Sequence, residues 1–472
     1  MNELPKALSA EQLRQTCDAA AVRAGAAEPS AESALIGQDR ALRAIRLAIE
    51  SRHADFNLFV LGPPGTGRHT EVARVLRGYA SEQARPPDWA YVNNFDDPHR
   101  PHALRLPAGL GNRLRQEMEL VVDDLAGDIP ALFESEEYQA QRRAIEEEFS
   151  SRQEEAMAEF EERARHEDVA LVRTPLGFMV AALRNGEIVK TEEYEKLPEE
   201  DQAEIDQKIP RFQEELSEVL QKAPKLEREQ RGRVEALNAE MAERAVSARV
   251  SEAAETLGDV EEIATYLAKV RIDMVEHPEL FLKASAQKND GPFPAAVGKS
   301  HLEPAFRRYR VNVVVAHSAE GETSAPVVTE DLPTLDRLAG RIEHVSHMGS
   351  LVTDFTLIRP GALHQANGGF LVLDARRVLS EPFAWDALKR SLKTRSVTIT
   401  SMAERMSLVS TTSLEPDPIP LDLKVVLVGD RLLHALLVLL DPEFSELFKV
   451  QADFEDVVDR DKTSLAEFAT LI

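Results

Sequence analysis

The sequence predicts an α/β protein whose core of buried parallel strands is interrupted by a long, highly charged helical insertion. Three observations carry that expectation. The run Asn57-Leu58-Phe59-Val60-Leu61 is compact and apolar, and it ends in a Gly/Pro-rich turn that opens a helix. Two further runs, Phe370-Leu371-Val372-Leu373 and Val425-Val426-Leu427-Val428, share that texture, which strands covered on both faces require. Between residues 132 and 285 dense charge takes over, with apolar residues at helical spacing.

Composition sets the bounds. A chain of 472 residues exceeds one ordinary domain. Its 43% hydrophobic, 29% charged and 6% aromatic residues suit a helix-rich protein with a sizeable core. No segment reaches the roughly 18 uninterrupted apolar residues that cross a bilayer. The start, MNELPKALSAEQLRQ, lacks the basic and apolar stretches of an export signal. Cys17 is the single cysteine, which rules out an intrachain disulfide and a cysteine-based metal cluster. The expectation is a cytoplasmic protein without a membrane partner. The net charge of −26 opposes phosphate backbones, so a nucleic-acid partner is disfavoured.

Along the chain, Ser9 and Gln12 have capping-box spacing for a short helix over 9–25, within an N-terminal helical segment of 1–30. A helix over 39–51 leads into the first apolar run, a second helix starts near residue 68, and a strand is expected at 89–92. These make up a first core part, 31–131. The segment 132–287 follows as an insertion. In it Ile145, Phe149, Ala156 and Phe160 mark one helix, and Ile205, Ile209, Phe212, Leu216, Val219, Leu226 and Leu237 a second. Pro210 and Pro224 are expected to kink or divide the second. Between them, residues 169–190 have β texture, with turns at Pro175–Gly177 and Asn185–Gly186. The pattern suits two long antiparallel helices projecting from the core and tipped by a small hairpin module. Charged faces of ordinary packed helices would give the same pattern. A linker, 288–304, precedes the second core part, 305–458, in which Val311, Val313 and Val315 alternate as in a strand.

The sharpest motif is Gly62-Pro63-Pro64-Gly65-Thr66-Gly67-Arg68-His69-Thr70, placed between a strand and a helix. Glycines let successive backbone N–H groups turn toward an anion, and the helix N-terminus adds positive partial charge. The common pattern, G-x-x-x-x-G-K-[ST], is altered: Arg68 replaces the lysine and His69 the metal-binding hydroxyl. Arg68 can still hold phosphate, with different geometry. Thr70 carries the nearest hydroxyl, one position late. The partner element is Gly368-Gly369-Phe370-Leu371-Val372-Leu373-Asp374, an apolar strand ending in the carboxylate expected on the metal side. Ala375 follows, where a water-orienting glutamate would be needed for hydrolysis.

On these residues the chain resembles AAA+ ATPases. Leu35-Ile36-Gly37-Gln38 looks like their adenine-side box. His364-Gln365-Ala366-Asn367-Gly368-Gly369 is similar to the Lon-related branch. Tyr91-Val92-Asn93-Asn94-Phe95, Val352-Thr353-Asp354-Phe355-Thr356 and Asp441-Pro442-Glu443-Phe444 strengthen a resemblance to Lon-related ATP-dependent proteases that covers nearly the whole chain. The resemblance implies an AAA+ P-loop NTPase-like parallel sheet with a coiled-coil-like helical insertion. It implies ATP or ADP with Mg²⁺, bound by Ile36, Gly37, residues 62–70, Asp374 and Asp430, with Asp374 and Thr70 on the metal. It further implies a homo-oligomeric ring, in the family a hexamer, which acts on unfolded or damaged protein and is fused to a downstream Ser–Lys peptidase domain.

Departures from the family weaken the hydrolytic part. The sensor-like strand ends in Gly429-Asp430 rather than Asn or Thr, and the segment 443–449 after Asp441-Pro442 holds no arginine; Lys449 is its only cation. About two dozen residues follow Lys449, so 459–472 would be the start of a truncated lid and no peptidase dyad is expected. No catalytic residue is therefore nominated. His344-x-x-His347 has metal-ligand spacing without a third ligand nearby. The expected function is an ATPase-like module that binds nucleotide and gates protein substrate. The alternatives are a ring scaffold with an empty nucleotide site and a DNA-remodelling ATPase.

Overall fold

In a computed structural model of the chain, the described residues are 9–10, 13, 20, 37–51, 53–63, 65, 67–174, 177–184, 187–189, 194, 198–289, 299–317, 324–347, 350–399 and 414–458. Most of the expected N-terminal helix, the expected lid start, most of the linker and the turns at 175–176 and 185–186 lie outside them. The chain divides into two compact units. One comprises Met1–Glu119, Asp259–Ile263 and Arg307–Ile472, the other Leu120–Gly258 and Ala264–Phe306.

The principal elements, in chain order, begin with α1 (Asp39–Glu50), β1 (Leu58–Leu61), α2 (Arg68–Ala80), β2 (Asp88–Val92), β3 (His102–Leu106) and α3 (Leu110–Glu134). Next come α4 (Glu136–His166), β4 (Val169–Thr174), β5 (Gly177–Arg184), β6 (Glu187–Ile188), α5 (Glu199–Leu257), α6 (Glu261–Glu276) and α7 (Glu279–Asn289). The chain returns through β7 (Val311–Val315), β8 (Val327–Glu330), β9 (Phe370–Asp374), α8 (Ala375–Ser380), α9 (Ala384–Thr394), β10 (Lys424–Gly429), α10 (Arg431–Leu440) and β11 (Val450–Asp453).

The first unit is built on a five-stranded sheet of order β11-β1-β10-β9-β8, parallel throughout. The apolar runs that predicted the strands divide strictly by alternation. Phe59, Leu61, Leu371, Leu373, Val425 and Leu427 join one buried layer with Leu388 and Leu392 of α9. Leu58, Val60, Phe370, Val372, Val426 and Val428 join the other, with Ala41 and Ile45 of α1 and Val72 and Leu76 of α2. Helices therefore cover both faces, which is why the runs are apolar without interruption. The buried Asn57 fixes the register: its amide donates to Leu447 O and its oxygen accepts from Val425 N. The strand expected at 89–92 is not in this sheet. As β2 it pairs antiparallel with β3 and β7 in a separate three-stranded sheet.

In the second unit α4 and α5 pack antiparallel. Arg244 meets Glu137 toward one end, Arg233 meets Glu148 midway and Arg163 meets Glu215 toward the other. These pairs are exposed, and each is worth about 0–1 kcal/mol. Apolar packing holds the far end, where Phe160 and Phe212 meet edge to face beneath Val169 and Val180 of the antiparallel β4-β5-β6 sheet.

Neither proline divides α5, a single helix of 59 residues with Pro210 and Pro224 inside it. Both are exposed, so alanine at either would restore a backbone N–H without losing packing. The double variant Pro210→Ala/Pro224→Ala is expected to stabilise the second unit by roughly 2–5 kcal/mol, given about 3 kcal/mol per interior proline partly absorbed by bending. Chemical denaturation followed by circular dichroism checks it, and an unchanged midpoint would contradict it.

Candidate functional site

Parallel strands bring their carboxyl ends to one edge, where open α/β sheets bind ligands. In register, Leu61 of β1 lies level with Gly429 of β10 and with Asp453 of β11, and Asp374 of β9 lies level with Val428. Strands β1, β10 and β9 thus discharge their next residues at one place, although β1 lies more than 300 positions before the other two in sequence.

The loop itself requires glycine. Gly62 has φ +152°, and a methyl there would stand 2.9 Å from Phe454 Cβ, so the loop departs beneath the exit of β11. Gly67, at φ +72°, is the N-cap of α2 and offers that helix no side-chain cap. The first N–H groups of α2 thus receive no side-chain cap, the arrangement that an anion site uses.

The charged residues at this edge hold one another. Arg68 is half-buried, and its Nη1 donates to Gly429 O. Burial lowers its pKa, while Asp430 and Asp374 pull in the opposite direction. His69 Nε2 lies 3.9 Å from Asp374 Oδ2. Asp374 Oδ1 accepts from Arg377 N at 3.0 Å, which caps α8 and fixes the carboxylate. Asp430 accepts from Leu433 N at 2.7 Å, capping α10, and pairs with Arg376 at 2.9 Å. The Leu433 N–H is the main reason its carboxyl lies below the usual aspartate range.

Gly37, at φ +70°, lies where any β-carbon would meet Val458. The neighbouring Gln38 clamps the chain after β11, donating to Glu455 O at 3.2 Å and accepting from Glu455 N at 2.9 Å. Gly37 and Gln38 therefore adjoin the exit of β11. Pro63 is half-buried and Gly65 is exposed at φ +89°. Ile36, Pro64 and Thr66 lie outside the described residues. The side chain against Asp374 is that of His69, not of Thr70, which is exposed one position further along α2.

Several neighbours were not nominated from sequence. Arg376 and Arg431 are single arginines without a motif, and β11 brings Asp453 into place for Arg431 at 2.9 Å. Lys449, the cation nearest Asp441 in sequence, lies elsewhere: it pairs with Asp55 at 3.4 Å and covers Phe56. Asp441 is instead met by Lys389 at 2.9 Å and Trp385 Nε1 at 2.7 Å, both from α9. Of the His344–His347 pair, the His347 side chain is outside the description, and no group of three metal-binding side chains occurs among the described residues.

His364 sits just before the acidic strand and is fully buried. Its Nδ1 accepts from Gly361 N, so Nε2 carries the proton, buried without a partner. Burial pushes its pKa down to about 4, from 6.5 in the unfolded chain. Between those values the unfolded chain binds a proton that the folded chain refuses. Stability is thus fully present above pH 6.5 and is lost as pH falls toward 4, by about 3 kcal/mol. Melting curves from pH 7 to pH 4.5 should show this slope, and His364→Leu should flatten it.

Residues 323–455 match the family model described as LonB-like, AAA domain, and residues 88–121 match that of the Lon-like LonC helical domain. A "Putative Lon protease homolog" from Escherichia coli (strain K12) is 31% identical over 163 residues, covering 34% of this chain and 25% of that protein. The match thus spans about a quarter of that relative. The AAA match contains β8, β9, β10 and β11 with Asp374 and Asp430, while the loop 62–70 precedes it. No helix among the described residues is long and apolar enough to cross a membrane. The AAA match covers four of the five strands of the parallel sheet that assembles the site, and together the matches mark the chain as a Lon-related protein.

Proposed function

We propose that this chain binds an adenine nucleotide at the carboxyl edge of its sheet and uses occupancy, rather than fast hydrolysis, to gate protein substrate for a peptidase domain. The observation that carries the reading is the convergence of the glycine loop, Arg68, Asp374 and Asp430 at one strand edge. Arg68 has five N–H donors and spends one on Gly429, so it can hold phosphate without releasing the strand. Hydrolysis is the weak part. Ala375 cannot orient water, and Lys389 and Lys393 near Asp441 are engaged by Glu443 at 2.9 and 2.6 Å.

The same reading makes the chain a ring-forming module, hexameric as in the family, acting on unfolded or damaged protein. The second unit would be its substrate or partner arm. An exposed apolar face on α10, with Leu432, Leu439 and Leu440 each more than 70% exposed, supports assembly with further copies. Saturating ATP or ADP is expected to raise the melting temperature by several degrees, since ligand at 100 times Kd adds about 2.7 kcal/mol. No shift with ATP, ADP or a non-hydrolysable analogue would defeat the reading.

The pairing of Arg68 with Gly429 and of His69 with Asp374 favours a second reading, a ring scaffold whose ancestral site is satisfied by its own residues. It predicts assembly that is indifferent to nucleotide. Phosphate release abolished by Asp374→Asn would exclude it.

A further inference from the structure

Phosphate-loop proteins hold Mg²⁺ through a Ser/Thr hydroxyl and the strand-end aspartate, with phosphate oxygens completing the shell. The donor set here does not fit that ion. The hydroxyl position carries His69, whose imidazole faces Asp374 at 3.9 Å. Imidazole is a poor ligand for Mg²⁺ and a good one for later first-row divalent ions.

We propose that the divalent ion accompanying nucleotide at this site is a transition-metal ion, held by His69 and Asp374 together with phosphate oxygens, and that Mg²⁺ is discriminated against. Two donors each about 2.1 Å from one ion stand about 3.0–3.4 Å apart at octahedral or tetrahedral angles, so the observed 3.9 Å closes onto a shared ion by side-chain rotation of the exposed imidazole. The pair is also accessible, with side chains 53% and 32% exposed. The carboxylate is pre-oriented: Oδ1 is committed to the Arg377 N–H, and Oδ2 is the oxygen turned to His69. Such outer contacts hold a metal ligand in its binding orientation.

Two protein ligands are too few for a stable site without nucleotide, and no third metal-binding side chain joins them among the described residues. The ion should therefore bind only with the nucleotide, whose phosphates supply the missing oxygens. The inference rests on the nucleotide-binding reading and adds the identity of the ion.

The test measures binding of a fluorescent ADP analogue to the full chain in EDTA, in Mg²⁺ and in Co²⁺, with the visible absorption of bound Co²⁺ as a second readout. Co²⁺ is expected to tighten nucleotide about tenfold or more beyond Mg²⁺, by the preference of imidazole for it. The absorption band should appear only when nucleotide is present. His69→Ala should remove the band and bring the Co²⁺-to-Mg²⁺ ratio near one, and His69→Thr should turn the preference toward Mg²⁺. Circular dichroism melts establish that each variant folds. Nucleotide binding with equal Mg²⁺ and Co²⁺ effects, or a ratio unchanged in His69→Ala, would overturn the inference and leave the nucleotide reading standing. Absence of nucleotide binding under every condition would overturn both.

Discussion

Arg68→Ala is expected to weaken ADP binding about 10- to 100-fold, the equivalent of one charge-assisted phosphate contact of about 1.5–3 kcal/mol. The expectation follows from position. Arg68 opens α2 directly after the loop, and a carbonyl at the end of β10 holds its side chain at the ligand edge. A side chain already fixed there loses little further freedom when phosphate arrives, so more of its contact energy appears as affinity. Arg68→Lys keeps the charge but loses the planar fork that reaches carbonyl and phosphate together, and should recover part of the loss. Isothermal titration with ADP decides between the outcomes. An alanine variant that binds as tightly as the parent would mean that phosphate does not sit at this edge.

The core of the fold was legible because its strands are covered on both sides. Leu58 and Val60 face one layer and Phe59 and Leu61 the other, so every position is apolar and the run stands out. The edge strands were not legible. Val327–Glu330 and Val450–Asp453 are four residues each, carry charge, and form only because β9 and β1 offer them an edge. The strand at 89–92 was legible as a strand, but its apolar pattern could not reveal that it joins a different sheet. Pro210 and Pro224 show that a proline signal alone does not end a helix: they are exposed within α5, where the remaining helical hydrogen bonds tolerate them. At the site, the loop and Asp374 announced themselves by motif. Arg376, Arg431 and Asp453 did not, because each is a single charge placed by tertiary structure alone.

The substitution that supplies the absent glutamate, Ala375→Glu, is expected to destabilise the protein and leave phosphate release at background. Ala375 is fully buried in the layer that contains Phe59 and Leu427. Space above it is closed: a methyl group on the adjacent Gly429 would stand 2.7 Å from the Phe59 ring and 3.2 Å from Ala375 Cβ. A glutamate there must overpack the layer, at about 1–3 kcal/mol. It must also bury a carboxyl without a prepared partner, at about 1–3 kcal/mol more even when it is protonated. With roughly 2–4 °C lost per kcal/mol in domains of this size, the melting temperature should fall by about 10 °C. Ala375→Ser, which adds one small polar atom, should cost only a fraction of that. Thermal melts paired with a phosphate-release assay measure both quantities. A folded, hydrolysing Ala375→Glu variant would show that the glutamate alone was missing. The packing argues otherwise, because Ala375, Gly429 and Phe59 are fitted to one another, and restoring a single carboxylate does not restore the space that it needs.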